Sequence, residues 1–151
     1  MGFTIQPGAV TDPGVPELFA AADAYALSLY PAENYHALPP EGFARPGVLL
    51  LVARDDAGAA LGMAALAPGE GFGELKRMFV HERARGTGLG RALLGAVESA
   101  ARERGVGLLR LETAEVQEAA VALYERLGYR RIPPFGEYVD DPTSLCMEKP
   151  L

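Results

Sequence analysis

The sequence is poor in the residues that build cross-links and metal centres. Cys146 is its only cysteine, so no disulfide forms within the chain and a cysteine-rich zinc site is excluded. Its two histidines, His36 and His81, stand 45 positions apart, which makes no metal-binding motif, and no metal is expected. No apolar run approaches the ~20 residues needed to cross a bilayer, so no membrane partner is expected. The opening stretch MGFTIQPGAV lacks the basic start and long apolar segment of a signal peptide, and a cytoplasmic location fits. Positive charge is also scarce. Fourteen Lys and Arg stand against twenty Asp and Glu, a formal charge of -6. A surface of that sign argues against nucleic-acid binding, which depends on neutralising phosphates. Yet Lys76, Arg77, Arg83, Arg85 and Arg91 fall close together, which leaves room for a local cationic site that takes a small anion.

What the chain does have is apolar content. With 49% apolar side chains in 151 residues, one domain covering residues 1–151 can bury an ample core. FTIQ reads as a first strand. DPGVPELFAAADAYALSLY reads as a helix beginning near Asp12 or Pro13, with Leu18, Ala21, Ala22, Tyr25 and Leu29 inward. PAENYHALPPEGFARPG reads as an irregular loop. VLLLVAR and AALGMAALAP flank the turn DDAG and suggest an antiparallel hairpin. GELKRMFV alternates, which places Glu74, Lys76, Met78 and Val80 on one face and Leu75, Arg77 and Phe79 on the other. A helix starts near Gly88 with Leu89, Leu93, Ala96, Val97 and Ala100 inward, and stops at Gly105 and Gly107. LLRLETA is a strand. EVQEAAVALYERLGY is a helix with Val116, Ala120, Leu123 and Leu127 inward, and SLCMEK is a last strand. The strand–helix–strand unit in the middle makes GELKRMFV and LLRLETA parallel neighbours. The fold class is therefore α/β, a mixed and mostly antiparallel central sheet with helices on both faces.

The densest signal is HERARGTGLGRALLGAVESA. Gly86, Gly88 and Gly90 alternate between arginines just before a helix. A helix start presents unpaired N–H groups and partial positive charge, and a glycine loop before it adds bare backbone donors. The fitting visitor is a phosphate or pyrophosphate, with Arg85 and Arg91 adding charge-assisted hydrogen bonds. A dinucleotide fingerprint needs G-x-G-x-x-G after the first strand of a parallel sheet, and the spacing here is G-x-G-x-G after a hairpin. A P-loop needs G-K-[ST], whereas Gly90 is followed by Arg91. A glycine turn that binds nothing is the plainer alternative.

At Arg85-Gly86-Thr87-Gly88-Leu89-Gly90 the chain resembles the GNAT N-acetyltransferase superfamily, whose signature is R/Q-x-x-G-x-G/A. GELKRMFV is similar to the strand before that loop, and AAVALYERLGY to the helix after the next strand. YPAENYH and IPPFGEYVDDPTSLCMEK are similar to segments of small bacterial members. The resemblance implies an enzyme that uses acetyl-CoA as cosubstrate. It implies that Arg85, Gly86, Thr87, Gly88, Leu89, Gly90 and Arg91 hold the pyrophosphate, and that the backbone of Met78, Phe79 and Val80 pairs with the pantetheine arm. It also implies that the parallel pair splays apart to admit the thioester. Where the family often has Asn, this chain has Gln117, still an amide and still expected near the cofactor.

For chemistry, the resemblance points to Glu74 as the base that deprotonates the amine; the alternative is a simple pairing with Lys76. Glu112 is a second candidate base, read first as a hydrogen-bond partner at the core's edge. Tyr124 corresponds to the family's tyrosine that faces the CoA sulfur and is the candidate acid; ordinary packing against Ala120 and Leu127 is the alternative. A backbone N–H near Met78 or Phe79 is the expected oxyanion donor. Tyr30, Glu33, His36, Phe135 and Tyr138 are candidate acceptor contacts. The expected partner is a small-molecule or peptide amine. Acidic loops (Glu33, Glu41, Glu137, Asp140, Asp141) favour a cationic amine, while Lys76 and Arg77 favour one that carries a carboxylate. An acyl-CoA-binding sensor with the same fold and no turnover is the alternative function. The oligomeric state stays open, with homodimers common among the proteins it resembles.

Overall fold

A computed structural model describes residues 2–151. Seven strands form one sheet: β1 (Phe3–Pro7), β2 (Leu49–Asp55), β3 (Ala60–Pro68), β4 (Gly73–Val80), β5 (Leu108–Ala114), β6 (Arg130–Ile132) and β7 (Ser144–Pro150). Their order is β1-β2-β3-β4-β5-β7-β6, and every neighbouring pair is antiparallel except β4 and β5. Three helices complete the fold: α1 (Val15–Leu29), α2 (Leu89–Glu103) and α3 (Glu118–Arg126). The short strand β6 was not legible in the sequence; it adds to β7 as an edge.

Alternation along β2 sorts two cores onto the two faces of the sheet. Leu50 and Val52 join Met63, Ala65 and the buried α1 residues Val15, Leu18, Phe19 and Ala22. Leu51 and Ala53 join Leu61, Leu66 and the α2 residues Leu89, Leu93, Leu94 and Val97, together with Tyr124 of α3. Central β3 is covered on both sides, so it is apolar throughout rather than alternating. Some inward positions differ from the periodicity. In α1, Phe19 and Ala26 are buried while Tyr25 is 40% exposed, because the β4 end of this face is open. Helix α3 begins only at Glu118, so Val116 lies in the preceding turn and is 54% exposed; Val121 and Tyr124 are the buried residues instead.

The alternation expected for β4 fails in its middle. Register with β3 jumps between Met63 and Ala65, and Arg77 adopts φ 54, a left-handed conformation uncommon for a side-chain-bearing residue. Past this bulge the faces swap. Leu75 shares the α2 face with Met78 and Val80, while Arg77 lies over Phe19 on the α1 face. Three bonds hold Arg77 there: Nε to the Leu38 carbonyl at 2.7 Å, Nη1 to Asp23 Oδ1 at 2.5 Å, and Nη1 to the Tyr35 hydroxyl at 3.2 Å.

Ladder pairing between β4 and β5 stops after Gly73↔Leu109 and Glu74↔Arg110. Beyond that the two strands part, as the resemblance implied, and a cleft opens between them.

One buried charge cluster ties α2 to the far side of the sheet. Glu98, 7% exposed, accepts from the Tyr129 hydroxyl at 2.7 Å and from Lys149 Nζ at 3.1 Å. Removing the carboxylate leaves the buried phenol without its acceptor and the partly exposed Lys149 ammonium without its partner. Glu98→Ala is expected to cost about 2 kcal/mol, read as a lower urea midpoint at unchanged slope.

Candidate active site

The cleft between β4 and β5 is one cavity of about 900 Å³. Its walls come from the end of α1, the residues around 35–37, β4 beyond the bulge, the glycine loop, β5, α3 and Tyr138.

At one end sits the start of α2. Gly88 caps the helix at φ 85, Gly86 lies at φ 77, and no side chain caps the first turn. Both glycines are exposed, and a Cβ on either would meet nothing within 4 Å, so the space over the helix start is empty of protein. Side-chain-bearing residues rarely take this conformation, which is why the loop is built from glycine. Thr87 turns its hydroxyl back to the Ala84 carbonyl at 2.5 Å and does not line the cavity. Arg85 stacks over Tyr25 at 5.0 Å and bonds the Val80 carbonyl. Arg91 and Arg126 line the same cavity, and among the described residues neither has an ion-pair partner. The result is a cationic, donor-rich end with few acceptors.

The cavity's middle is lined by Met78, Phe79, Val80, Leu89, Gly90 and Tyr124. Tyr124 is 5% exposed and meets Tyr129 edge-on at 5.9 Å. Among the described residues its hydroxyl has no protein partner, yet no buried side-chain N or O is unpartnered. The hydroxyl is therefore open to the cavity it lines. Burial raises its pKa well above the usual phenol value, so it stays protonated.

At the other end stand Tyr30, Tyr35, His36, Lys76, Glu112 and Tyr138. Glu112 accepts from Ser144 Oγ at 2.8 Å, and burial pushes its carboxyl up to about 7 against the opposing pull of that bond and of His36 and Lys76. Gln117 also lines the cavity; its amide donates to the Tyr30 hydroxyl at 3.2 Å and joins the start of α3 to the residue that follows α1. Glu74 is absent from the cavity wall. The Tyr138 hydroxyl donates to Glu74 and accepts from Lys76 Nζ at 2.6 Å, and Lys76 also lies 3.5 Å from Glu74. Glu33 is exposed in the loop after α1, and Phe135 packs on Phe72 and Tyr138; neither lines the cavity. Of the residues singled out in the sequence, then, Glu74, Thr87, Glu33 and Phe135 stand outside the cavity. Tyr35 and Arg126 are on it and were missed. Nothing in their spacing marks them, because each reaches the cavity only through the packing of its segment.

Residues 15–129 match the Acetyltransferase (GNAT) family. The chain is 45% identical over 139 residues to the IAA acetyltransferase of Azospirillum brasilense, covering 91% of this chain and 90% of that one. A crystal structure from Klebsiella pneumoniae, provisionally named an acyl-CoA N-acyltransferase, superimposes with a TM-score of 0.83 at 42% identity, covering 99% of this chain and 97% of that one. The PaiA N-acetyltransferase of Thermoplasma acidophilum, solved with coenzyme A, shares the fold at a TM-score of 0.75 and 17% identity over the full length of both. The split parallel pair and the bare glycine start of α2 thus agree with the sequence match, and the chain belongs to the GNAT family of acetyltransferases.

Proposed function

We propose that the protein is an N-acetyltransferase that moves an acetyl group from acetyl-CoA directly to a primary amine of a small molecule while both are bound. The carrying observation is the single cavity that joins the uncapped start of α2 to the Glu112 carboxyl and passes the Tyr124 hydroxyl. The residues fit the cosubstrate. Backbone N–H groups of residues 86–91, with Arg91 and Arg126, would hold its pyrophosphate, and the unpaired edge of β4 would take its amide-bearing arm. The shared fold of the coenzyme A complex from Thermoplasma supports this placement. Acetyl-CoA supplies an activated acyl group on a thiol that can leave.

The chain's own groups handle charge and protons. In the proposal Glu112, rather than Glu74, takes the proton from the attacking nitrogen. Glu112 lines the cavity with a carboxyl near 7, while Glu74 is engaged by Tyr138 and Lys76 behind the wall. Backbone N–H groups freed where β4 leaves β5 stabilise the negative charge on the thioester oxygen. Tyr124 donates to the departing sulfur. The donors of Lys76 and Arg77 are directed at Tyr138, Asp23 and the carbonyls of His36 and Leu38. With these donors already engaged inside the protein, an acceptor recognised by its amine is favoured over one held by a carboxylate.

Calorimetry with acetyl-CoA, followed by thiol release across an amine panel, tests the proposal. Gly88→Val is expected to weaken acetyl-CoA binding at least tenfold, because a β-branched residue cannot take φ 85 without strain. Unchanged affinity in this variant would move the cosubstrate elsewhere. Binding without amine-dependent release would make the protein a sensor.

A further inference from the structure

Acetylating an alkyl amine removes two protons from its nitrogen. With a pKa near lysine's, about 10.4, the free base is on the order of one part in 10³ at pH 7. One proton leaves before the nitrogen attacks and another as the amide forms; one ends on sulfur, the other in water. Glu112 holds one proton at a time. A second acceptor near the amine would let the ammonium itself be used, its first proton leaving before Glu112 takes the second.

The wall beside Glu112 contains one. His36 Nε2 lies 2.7 Å from Asp141 Oδ2. Asp141 comes from the far end of the chain, is 8% exposed, and is fixed by further donors: Thr143 Oγ1 at 2.6 Å, the Thr143 backbone N–H at 2.9 Å and Asn34 Nδ2 at 3.1 Å. The Thr143 hydroxyl first, then His36, hold its carboxyl far below the usual range. An ionised carboxylate only accepts, so Nε2 carries a hydrogen, and in the neutral ring the lone pair is on Nδ1. Among the described residues Nδ1 has no protein partner and no buried side-chain N or O is left unpartnered, so Nδ1 is open to solvent, on a residue that lines the cavity. The ring is held edge-on to Tyr138 at 5.5 Å, and Lys76 Nζ holds the His36 carbonyl at 3.1 Å. The charged groups around it are Asp141 from the 139–143 turn, Glu112 from β5, and Lys76 and Glu74 from β4; His36 pulls the Glu112 carboxyl down against the larger upward push of burial.

We propose that His36 accepts the first proton of the incoming ammonium, with Asp141 as the positioning residue that fixes the imidazole tautomer and steadies the imidazolium. This rests on the amine reading above. The ammonium N–H bond breaks and its electron pair stays on nitrogen. The proton binds the Nδ1 lone pair and later passes to solvent. Glu112 remains free to take the second proton as the C–N bond forms.

The alternative role is purely structural, a tie that holds residues 31–46 against the sheet. The two roles differ in pH and acceptor dependence. His36→Gln keeps an amide donor for Asp141 and loses the basic nitrogen. Acetyl-CoA calorimetry first establishes that the variant is folded. With an alkyl amine that the parent acetylates, kcat/KM is expected to fall about 10²-fold at pH 7 and to recover to within a few-fold near pH 10, where solution supplies free amine. With a hydrazide or alkoxyamine, already unprotonated at pH 7, the deficit should nearly vanish. Asp141→Asn should show the same pattern. A deficit equal at every pH and for both acceptors overturns the proposal and leaves the amine reading standing. A parent that binds acetyl-CoA and acetylates no amine overturns both. Nitrogen NMR of the parent gives a check free of variants: a hydrogen on Nδ1 of neutral His36, instead of Nε2, would also overturn it.

Discussion

Glu112→Gln is expected to lower kcat/KM for an amine acceptor by about 10²–10⁴-fold, the range over which a positioned base contributes. The amide fills the same space and can still meet Ser144, so acetyl-CoA affinity should hold. In the parent, the rate should rise with pH through about 7, where burial has placed this carboxyl. The variant should lose that limb. Stability should move the opposite way. A carboxyl whose folded pKa lies above its ordinary 4.5 is harmless below that value, where it is protonated folded or unfolded. As pH rises through about 7 the folded chain must carry a buried anion, and stability is lost. Glu112→Gln should therefore raise Tm at pH 8 and match the parent at pH 4. A rate near the parental one across the pH range would remove Glu112 from the mechanism and return the base to Glu74, by way of Tyr138.

The contrast between those two carboxylates shows what the chain discloses before it folds. The sheet, its parallel crossover and the glycine start of α2 were legible because each depends on local pattern: apolar periodicity, turn residues, and three glycines before a helix. Glu74 is also prominent locally, on an alternating strand beside an expected slot. Its hydrogen bond to Tyr138, 64 positions away, is invisible to spacing. The bulge at Arg77 was hidden for the same reason. Nothing in GELKRMFV demands a left-handed arginine; Asp23, Tyr35 and the Leu38 carbonyl hold it there from other segments. The swap of faces that follows brings Lys76 and Arg77 both toward the loop that carries Tyr35, His36 and Leu38, and so shapes the end of the cavity that the sequence described least well. Asp141 illustrates the limit from the other side. It was legible as one acid among several in a loop, while its pairing with His36 spans 105 positions.

Tyr124→Phe is expected to lower kcat by about 10²–10³-fold, the loss seen when one donor to a developing charge is removed from a dry site. The figure follows from what the hydroxyl can do. A thiol has a pKa near 8.5, and burial lifts Tyr124 far above that, so full proton transfer to an exposed thiolate would run uphill. Inside the cavity the sulfur anion is desolvated as well, and a hydrogen bond donated in place lowers its cost without a completed transfer. Because the phenol stays protonated, the loss should be the same from pH 6 to 10. The limb near pH 7 assigned to Glu112 should persist unmoved, which separates this variant from Glu112→Gln. Stability should change by less than about 1 kcal/mol, since the ring keeps its edge contact with Tyr129 and the hydroxyl leaves no protein partner behind. Acetyl-CoA binding, read by calorimetry, should be within a few-fold of the parent. Turnover near the parental rate would reduce Tyr124 to a wall of the cavity and leave the departing sulfur to solvent or to backbone donors.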